Sequence, residues 1–549
     1  MIEASPPELD ATLNPAQREA VEHVHGPLLV LAGAGSGKTR VLTMRIAALI
    51  DKHGVPPGQI FAVTFTNKAA GEMKERIGRL LNRNPSGLWI GTFHSLSARL
   101  LRREAELLGF TRQFTIYDED DRISVIKKLM DQQGHSTKLF APRAVQAVIS
   151  AAKNRMVPPS ELAAGGSFDR LAQVAAEVYA ALGPALKAAN AMDFDDLLLH
   201  PLTLFREHPD RLQAYQRRFR FILVDEFQDT NRAQYELIRL LGAEGNVCAV
   251  GDDDQSIYGW RGADVRNMQD FLRDFPNTRL VRLEENYRST QIVLDAANGV
   301  IAENTGRIGK TLTTRRRGGE SVTLVAAADE RDEAEWVVRE LQKRSAASDW
   351  SYSEMAVLYR TNSQSRALEE AFRRAGVPYR LIGAISFYER REVKDLLSYL
   401  RLVANPSDNE AFLRAVGVPR RGLGETSLAI LDRFATQWGK PLLETARIAD
   451  RIPELRPNVR EAFRNFAAII DSAARLQHLP PADQLENIIQ AINYEAVLHA
   501  EGPEGEDRWE NVRELVASAA NWSEEVAAGD EEGTQLERFL AEAALLSSA

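Results

Sequence analysis

A glycine-rich stretch that ends in Lys38 and Thr39 follows a short apolar run at residues 28–32 and opens a helical pattern. Such glycines let backbone N–H groups approach phosphate oxygens, and a helix N-terminus adds partial positive charge. The Lys38 ammonium can bind β- and γ-phosphates, and the Thr39 hydroxyl suits Mg²⁺. The general pattern begins with glycine, whereas this chain begins with alanine. The predicted phosphate-binding residues are Ala32, Gly33, Ala34, Gly35, Ser36, Gly37, Lys38 and Thr39.

Two acidic residues, Asp225 and Glu226, come directly after the apolar run FILV at residues 221–224. A carboxylate at the end of a buried strand can hold Mg²⁺, and a second one can orient and deprotonate an attacking water. An apolar run followed by two acids is common, so the pattern alone says little. Because Lys38 and Thr39 lie upstream, the pattern predicts Asp225 as a metal ligand and Glu226 as the base.

Strand and helix patterns alternate over the first hundred residues, with strand signals at residues 28–32 and 60–66. Such alternation predicts a parallel sheet with crossover helices. Residues 117–190 are rich in alanine and carry apolar residues at helical spacing, which predicts a helical insertion. Strand patterns return at residues 219–224, 247–250 and 279–283.

A second α/β pattern begins near residue 284, with strands predicted at residues 322–325 and 355–359. The pattern becomes mostly helical after about residue 388. We therefore predict an α/β fold with two domains, each carrying a helical insertion. The predicted segments are 1–116 and 191–283 for the first domain, 117–190 for its insertion, 284–387 for the second domain and 388–549 for its insertion.

The composition is that of a globular protein. Of the 549 residues, 44% are hydrophobic and 26% are charged, which excludes collagen-like, disulfide-scaffold and wholly disordered chains. The single cysteine, Cys248, cannot form an internal disulfide. A formal net charge of −9 argues against a purely electrostatic DNA binder, although a basic groove can lie on an acidic body. Because no apolar run approaches the ~18 residues of a membrane span, we expect a cytoplasmic protein without membrane partners.

Ten ordered segments resemble the motifs of the superfamily 1 DNA helicases of the UvrD, Rep and PcrA type, with the UvrD type fitting best. The resemblance implies two RecA-like P-loop NTPase domains, ATP and Mg²⁺ as cofactors, and single-stranded DNA and single-strand/duplex junctions as partners. The UvrD and PcrA types are hard to separate on these motifs. The segments are LNPAQ (13–17), AGAGSGKT (32–39), TFTNKAA (64–70), TFHS (92–95), DFDDLL (193–198), VDEFQDTN (224–231), VGDDDQSIYGWRGAD (250–264), ENYRS (285–289), YRTNSQSRALEE (359–370) and FYERREVKDLLSYLRL (387–402).

The resemblance also implies roles around the nucleotide. Gln17 matches a residue that reads adenine, and its carboxamide can both donate to and accept from that base. Arg40 and Tyr287 match residues that enclose the adenine ring. Gln255 matches a sensor of the γ-phosphate. Arg288 matches an arginine that contacts the same phosphate, for which its planar fork is suited.

An aromatic track for single-stranded DNA is implied by the same motifs. Bases stack on aromatic faces with ~1–3 kcal/mol each and without sequence preference. From the sequence alone, the strand pattern around Phe65 favours a core position, whereas Tyr258 and Trp260 lie among polar residues and glycines. The predicted DNA-contacting residues are Phe65, His94, Phe194, Tyr258, Trp260 and Arg261.

Gly422 and Gly424 resemble a glycine–apolar–glycine turn that contacts the duplex backbone in the family. Glycines allow N–H groups to approach phosphates, and Arg420 and Arg421 would add charge. An ordinary turn between helices is the alternative. The basic run at residues 315–317 is more typical of a solvated surface than of a DNA contact.

Two motifs of the family's second RecA-like domain, of the THxAKGLEF and YVxxTRA types, do not occur in this sequence. We therefore expect a fragment of a longer helicase, with an incomplete second RecA-like domain and impaired hydrolysis in isolation. The implied function is ATP-dependent DNA unwinding with 3′→5′ polarity in bacterial DNA repair, with repair proteins as further partners. A RecB- or AddA-type helicase–nuclease subunit and a non-catalytic DNA clamp are the alternatives, and Lys38, Asp225 and Glu226 argue against the clamp.

Overall fold

The computed structural model describes most of the chain, namely residues 13–83, 86–165, 169–243, 245–259, 262–304, 307–347, 350–382, 387–526 and 533–547. Trp260 and Arg261, two of the predicted DNA contacts, lie outside the described residues. Among the helices of the described ranges, none is both long enough and apolar enough to cross a membrane.

Eight strands of the described residues form one parallel sheet of six strands and one parallel pair. They are β1 Leu28–Ala32, β2 Ile60–Thr64, β3 Trp89–Thr92, β4 Thr115–Tyr117, β5 Ala191–Asp193, β6 Phe221–Val224, β7 Val247–Gly251 and β8 Arg279–Leu283. The large sheet has the order β3-β2-β6-β7-β1-β8, and β4 pairs with β5. In register, Leu29 of β1 lies opposite Ala249 of β7 and Leu280 of β8. The inner strands are buried along their whole length, as in parallel sheets covered on both faces.

In the described ranges up to residue 283, twelve helices accompany these strands. They are α1 Pro15–Glu22, α2 Lys38–Asp51, α3 Asn67–Leu81, α4 Phe93–Glu104, α5 Glu119–Gln132, α6 Pro142–Asn154, α7 Pro159–Gly165, α8 Arg170–Ala188, α9 Phe194–Glu207, α10 Pro209–Arg218, α11 Arg232–Leu241 and α12 Arg266–Asp274. Helices α3 and α4 start just after strands, where the side chains of Thr66 and Thr92 cap their first turns. The segments that follow the parallel strands therefore gather at one edge of the sheet.

Helices α5–α8 form a block between β4 and β5, as the periodicity predicts. The block has its own apolar core, which includes Ile126, Met130, Val145, Ile149, Val178 and Leu182. Short 3₁₀ helices occur along the chain at Pro57–Gln59, Ala105–Leu108, Phe227–Asp229, Asp253–Gln255, Tyr352–Glu354, Asn362–Gln364, Phe387–Glu389 and Ala449–Arg451.

The strands predicted for the second α/β domain are wrong. Residues 322–325 and 355–359 form neither strand nor helix, and the side chains of Leu324 and Leu358 are 96% and 91% exposed. An apolar run becomes a parallel strand only beside another strand, and no described strand lies next to these segments. This part of the chain forms the helices α13 Gln291–Ile301, α14 Glu330–Ala346 and α15 Ser365–Arg374.

The rest of the described chain is helical and packs around one large apolar core, in which Tyr399, Phe412, Phe463 and Phe466 are fully buried. Its last helix returns to the first half of the chain, where the Asn67 side chain donates to the Leu545 carbonyl at 3.3 Å. The helices are α16 Arg391–Ala404, α17 Asn409–Val416, α18 Glu425–Trp438, α19 Leu442–Arg447, α20 Pro457–Ala474, α21 Pro481–Ala491, α22 Tyr494–His499, α23 Pro503–Val526 and α24 Gln535–Ser547.

Candidate functional site

A cleft of about 600 Å³ lies where several parallel strands end. Its lining comes from the segments that follow β1, β2, β6, β7 and β8, so residues far apart in sequence meet there. Two lining residues, Glu72 and Arg76 of α3, were not predicted. The lining residues are Ala34, Gly35, Gly37, Lys38, Thr39, Arg40, Glu72, Arg76, Glu226, Gln255, Tyr287 and Arg288.

The glycine-rich loop has the geometry that phosphate binding needs. Gly35 and Gly37 have φ angles of +67° and +91°, which favour glycine. Helix α2 begins at Lys38 without a side-chain cap, so the N–H groups of its first turn can meet an anion. The loop is also held from outside, because the Tyr287 N–H donates to the Gly35 carbonyl at 2.9 Å. The cleft and the uncapped N-terminus of α2 therefore fit a nucleoside triphosphate.

Lys38 and Glu226 form an ion pair of 2.7 Å at the base of the cleft. Glu226 has φ +48°, a left-handed conformation that is uncommon outside glycine. Its N–H donates to the Asp225 carboxylate at 3.1 Å. Burial, together with the charge of Glu226, raises the pKa of Asp225 to about 6. A buried carboxylate of this kind, with the Thr39 hydroxyl in the cleft, is a donor set that suits Mg²⁺.

Gln228 connects the acidic pair to the next loop, and sequence reasoning missed it. Its Nε2 donates to Glu226 at 2.8 Å, and its Oε1 accepts from the Asp252 N–H at 2.9 Å. Asp252 in turn accepts a hydrogen bond from the Gln255 side chain. Gln228 lies within VDEFQDTN, so the motif marked its position, but its bridging role needs the neighbouring strand β7.

Gln17, predicted by resemblance to read adenine, is buried beside the phosphate loop. Its Nε2 donates to the Ser36 carbonyl at 2.9 Å, and its Oε1 accepts from the Asn14 N–H at 3.2 Å. Each end of the amide thus makes one hydrogen bond within the chain, whereas an amide nitrogen can donate two and its oxygen can accept two. Arg40 and Tyr287 line the same cleft, and Tyr287 is 49% exposed.

The four predicted DNA-contacting rings that lie in the described residues form two pairs. The rings of Phe65 and Tyr258 stack with centroids 5.3 Å apart, and both side chains are partly exposed. The core position that the strand pattern favoured for Phe65 is therefore wrong, because β2 ends at Thr64, before this residue. The second pair is His94 and Phe194, with centroids 5.6 Å apart. Burial lowers the pKa of His94, which keeps its imidazole neutral.

Two aspartates near Phe194, Asp193 and Asp196, bind Lys153 of the helical block and so attach the start of α9 to it. The Lys153 ammonium of α6 lies 2.7 Å from carboxylate oxygens of both Asp193 and Asp196. Burial opposes its charge, but the two carboxylates outweigh burial and raise the pKa of Lys153. No local pattern marks Lys153 in the sequence, since its partners lie 40 and 43 positions away.

Two family models cover nearly all of the chain. The UvrD/REP helicase N-terminal domain matches residues 13–276, and the UvrD-like helicase C-terminal domain matches residues 281–549. The chain belongs to the UvrD/Rep helicase family. The ATP-dependent DNA helicase PcrA of Staphylococcus aureus is 42% identical over 515 residues, which cover 93% of this chain and 70% of that relative. The PcrA of Staphylococcus epidermidis is 42% identical over 514 residues, with the same two coverages.

The glycine turn of this UvrD/Rep family member lies at the start of α18. Gly422 has φ +71°, and a Cβ atom on Gly422 or Gly424 would meet no atom within 4 Å. The Arg421 guanidinium donates to four carbonyls, those of Ala415 and Val416 at the end of α17 and those of Val418 and Pro419 in the following loop. Arg421 therefore holds the loop, and Arg420 is the more exposed of the two arginines.

Proposed function

We propose that this UvrD/Rep family member is an ATP-dependent DNA helicase that moves along single-stranded DNA and separates the duplex ahead of it. The observation that carries the proposal is the meeting of Lys38, Glu226, Gln255 and Arg288 in one cleft. The two Staphylococcus PcrA relatives are named ATP-dependent DNA helicases. The 3′→5′ polarity and the setting in bacterial DNA repair, with repair proteins as partners, rest on the family resemblance.

In this proposal the first-domain loop binds the triphosphate. Backbone N–H groups from Gly33 to Thr39 contact the phosphates, with the α2 N-terminus behind them. Lys38 leaves its pairing with Glu226 and binds the β- and γ-phosphates, which releases the carboxylate. Gln17, Arg40 and Tyr287 contact the adenine.

Hydrolysis then follows from the positions of the charged groups. Thr39 and Asp225 would hold Mg²⁺, which neutralises charge on the β- and γ-phosphate oxygens. Glu226 takes the proton of the attacking water, and its hydrogen bond from Gln228 fixes the direction of its carboxylate. Arg288 stabilises the negative charge that develops on the transferred phosphoryl group.

Coupling to DNA uses the loop that follows β7. Gln255 faces the nucleotide cleft, and Tyr258, three residues later, stacks on Phe65. A displacement of Gln255 when the γ-phosphate is released therefore reaches a base-stacking surface through a short, continuous segment. With Phe194, His94, Trp260 and Arg261 completing the track, the grip on stacked bases alternates with the nucleotide state.

We include the domain division in the proposal. Residues 1–116 and 191–283 form the first RecA-like domain, and residues 284–387 contribute to the second. ATP closes the two domains, and hydrolysis reopens them. The helical parts, residues 117–190 and 388–549, are insertions, and the Gly422–Gly424 turn of the second one binds the duplex backbone.

The test compares ATP hydrolysis and DNA binding in matched variants of the full-length protein. The wild-type protein is expected to hydrolyse ATP faster with saturating single-stranded DNA and to unwind a duplex with a 3′ single-stranded tail. Lys38→Ala is expected to abolish hydrolysis and unwinding while single-strand affinity stays within about threefold. Lys52→Ala, just past the other end of α2, is the control and should match the wild-type protein.

A DNA clamp without catalysis would give a different result. It would bind single-stranded DNA, hydrolyse no ATP and show no difference between the wild-type protein and Lys38→Ala. Normal turnover in Lys38→Ala would instead overturn the assignment of the phosphate loop.

A further inference from the structure

Lys310 lies buried among three consecutive aspartates. Its Nζ is 2.6 Å from Asp252, 2.5 Å from Asp253 and 2.8 Å from Asp254, and its side chain is 1% exposed. The three carboxylates are close enough to share one cation, and here that cation is the lysine ammonium. Burial opposes the charge, but the hydrogen bonds to the carboxylates outweigh burial and raise the pKa of Lys310. An ammonium has three N–H donors, so each carboxylate can receive one.

The same aspartates belong to the hydrogen-bond chain of the nucleotide cleft. Asp252 accepts from the Gln255 side chain, and its N–H donates to Gln228. Gln228 donates to Glu226, which pairs with Lys38. One continuous chain of polar contacts therefore leads from Lys310 to the phosphate loop. Gln255 is attached to this chain by its hydrogen bond to Asp252.

The segment that carries Lys310 is attached to the first domain at several points. The Ile308 N–H donates to Asp253 at 2.8 Å, and Arg307 lies 3.1 Å from Asp254. Leu312 packs so closely on the phosphate loop that a Cβ on Gly33 would lie 2.0 Å from it. Lys310 belongs to the part matched by the C-terminal helicase model, whereas the aspartates belong to the part matched by the N-terminal one.

We propose that Lys310 is a positioning residue that fixes Gln255 through Asp252 and thereby links the second helicase domain to the γ-phosphate. The inference rests on the proposed function, because that function assigns Gln255 the role of sensing the γ-phosphate. Without the ammonium, three adjacent buried carboxylates repel one another, so the aspartate loop moves and Gln255 loses its acceptor. Lys310 touches neither nucleotide nor water in this scheme.

The first experiment measures kcat and nucleotide affinity separately in the full-length protein with saturating single-stranded DNA. Lys310→Met is expected to lower kcat by ~10–100-fold, the effect of a displacement of about 1 Å at a catalytic group. The affinity for a fluorescent ATP analogue should change less than about threefold, because the phosphate loop remains. Lys310→Arg retains the charge and should recover most of the rate. Lys394→Met removes another lysine that bridges two aspartates, far from the cleft, and should keep the wild-type kcat.

The second experiment tests whether Lys310 acts through Gln255. If it does, Lys310→Met combined with Gln255→Ala is no slower than Gln255→Ala alone. If the losses in kcat of the two single variants multiply in the double variant, or if Lys310→Met has the wild-type kcat, the inference is overturned.

If Lys310→Met does not fold, Lys310→Gln replaces it in the same cycle. A wild-type protein without DNA-stimulated hydrolysis would overturn the proposed function itself, whereas an active wild type with an equally active Lys310→Met would overturn only this inference.

Discussion

Glu226 shows how a single residue can be placed by backbone strain. Its φ of +48° is a left-handed conformation that costs a residue with a side chain about 1–2 kcal/mol. In return, its carboxylate lies between the Lys38 ammonium and the Gln228 amide. Functional groups in strained conformations of this kind cluster at active sites. The motif predicted the residue, whereas its left-handed conformation is seen only in the folded chain.

Ten of the fifteen residues predicted for the nucleotide and its hydrolysis line one cleft, whereas several of their partners were missed. Motif residues can be predicted because phosphate chemistry fixes their types and spacing. Gln228 and Lys310 are different, because their roles arise from hydrogen bonds to Asp252, 24 and 58 positions away. No local spacing encodes such contacts.

A substitution of Phe65 tests the predicted DNA track at a single residue. Phe65→Ala should weaken binding to single-stranded DNA by ~5–100-fold, the equivalent of one stacking interaction of ~1–3 kcal/mol. It should lower the thermal unfolding temperature only slightly, since the side chain is partly exposed and packs mainly on Tyr258. Fluorescence anisotropy with a labelled oligonucleotide and a thermal melt measure the two effects.

The control is Phe434→Ala, which removes a partly buried ring packed on Trp438 at 5.2 Å in the second helical part. That variant should keep the wild-type affinity for the single strand. A large loss of stability in Phe65→Ala with unchanged DNA affinity would show that the ring is structural.

Among the elements, the parallel sheet was predictable and the second set of strands was not. The large sheet follows from apolar runs that alternate with amphipathic helices, and each run finds neighbours within the first 283 residues. The runs at residues 322–325 and 355–359 are also apolar, yet the first is exposed throughout and the second alternates between exposed and partly buried residues. Local pattern determines whether a segment can be a strand, but pairing decides whether it is one.

The phosphate loop gives a prediction based on two glycines. Gly35 and Gly54 have similar φ angles of +67° and +63°, so alanine brings comparable backbone strain at both, about 1 kcal/mol. A Cβ on Gly35 would also lie 2.7 Å from the Arg288 Cβ, whereas one on Gly54 would meet nothing within 4 Å. Gly35→Ala should therefore lower ATP affinity and turnover at least tenfold. Gly54→Ala should leave both unchanged, as measured by nucleotide titration and DNA-stimulated hydrolysis, and equal activities would show that the loop and Arg288 move apart freely.

The turn before α18 allows a second comparison of two matched glycine variants. Gly422 precedes this helix and Gly439 ends it, both have positive φ, and neither has an atom near its missing Cβ. Valine at either position should destabilise the protein to a similar extent, by ~1–2 kcal/mol or more. Gly422→Val should also slow duplex unwinding several-fold more than single-strand translocation, because a side chain would block approach of the backbone to phosphates. If Gly439→Val shows the same ratio of unwinding to translocation, the turn is only structural.

Over the whole molecule, the two helical parts meet through charged and polar side chains. Arg401 of α16 bonds to Asp121 at 2.8 Å and to Asp408 at 2.9 Å, and the Tyr117 hydroxyl donates to Asp408 at 3.0 Å. The pair Arg401–Asp121 joins residues 280 positions apart. The helical character of both parts was predictable, but their contact was not, since it depends on where the chain returns after folding.

Glu410 gives this contact a pH dependence. Its carboxyl lies at the start of α17, which packs on α5. Burial raises its pKa to about 7, the charges of Asp121 and Asp408 add to the shift, and Ser124 and Lys128 oppose it. In the unfolded chain the same carboxyl titrates near its usual value of 4.5. Between these two values the folded protein keeps a proton that the unfolded chain has released, so stability falls as pH rises and levels off above about 7.

Glu410→Gln keeps the shape of the side chain and removes this titration. Relative to the wild-type protein, the variant should therefore gain ~1–2 kcal/mol of stability between pH 5 and pH 8, since one pKa unit corresponds to ~1.4 kcal/mol and partial exposure screens part of the shift. Thermal unfolding of both proteins across this range, at constant ionic strength, measures the change. Glu461→Gln, at an exposed position of α20, should follow the wild-type curve. If Glu410→Gln differs from the wild-type protein by the same amount at every pH, the carboxyl titrates alike in the folded and unfolded chains, and the contact between the helical parts is insensitive to protons at this position.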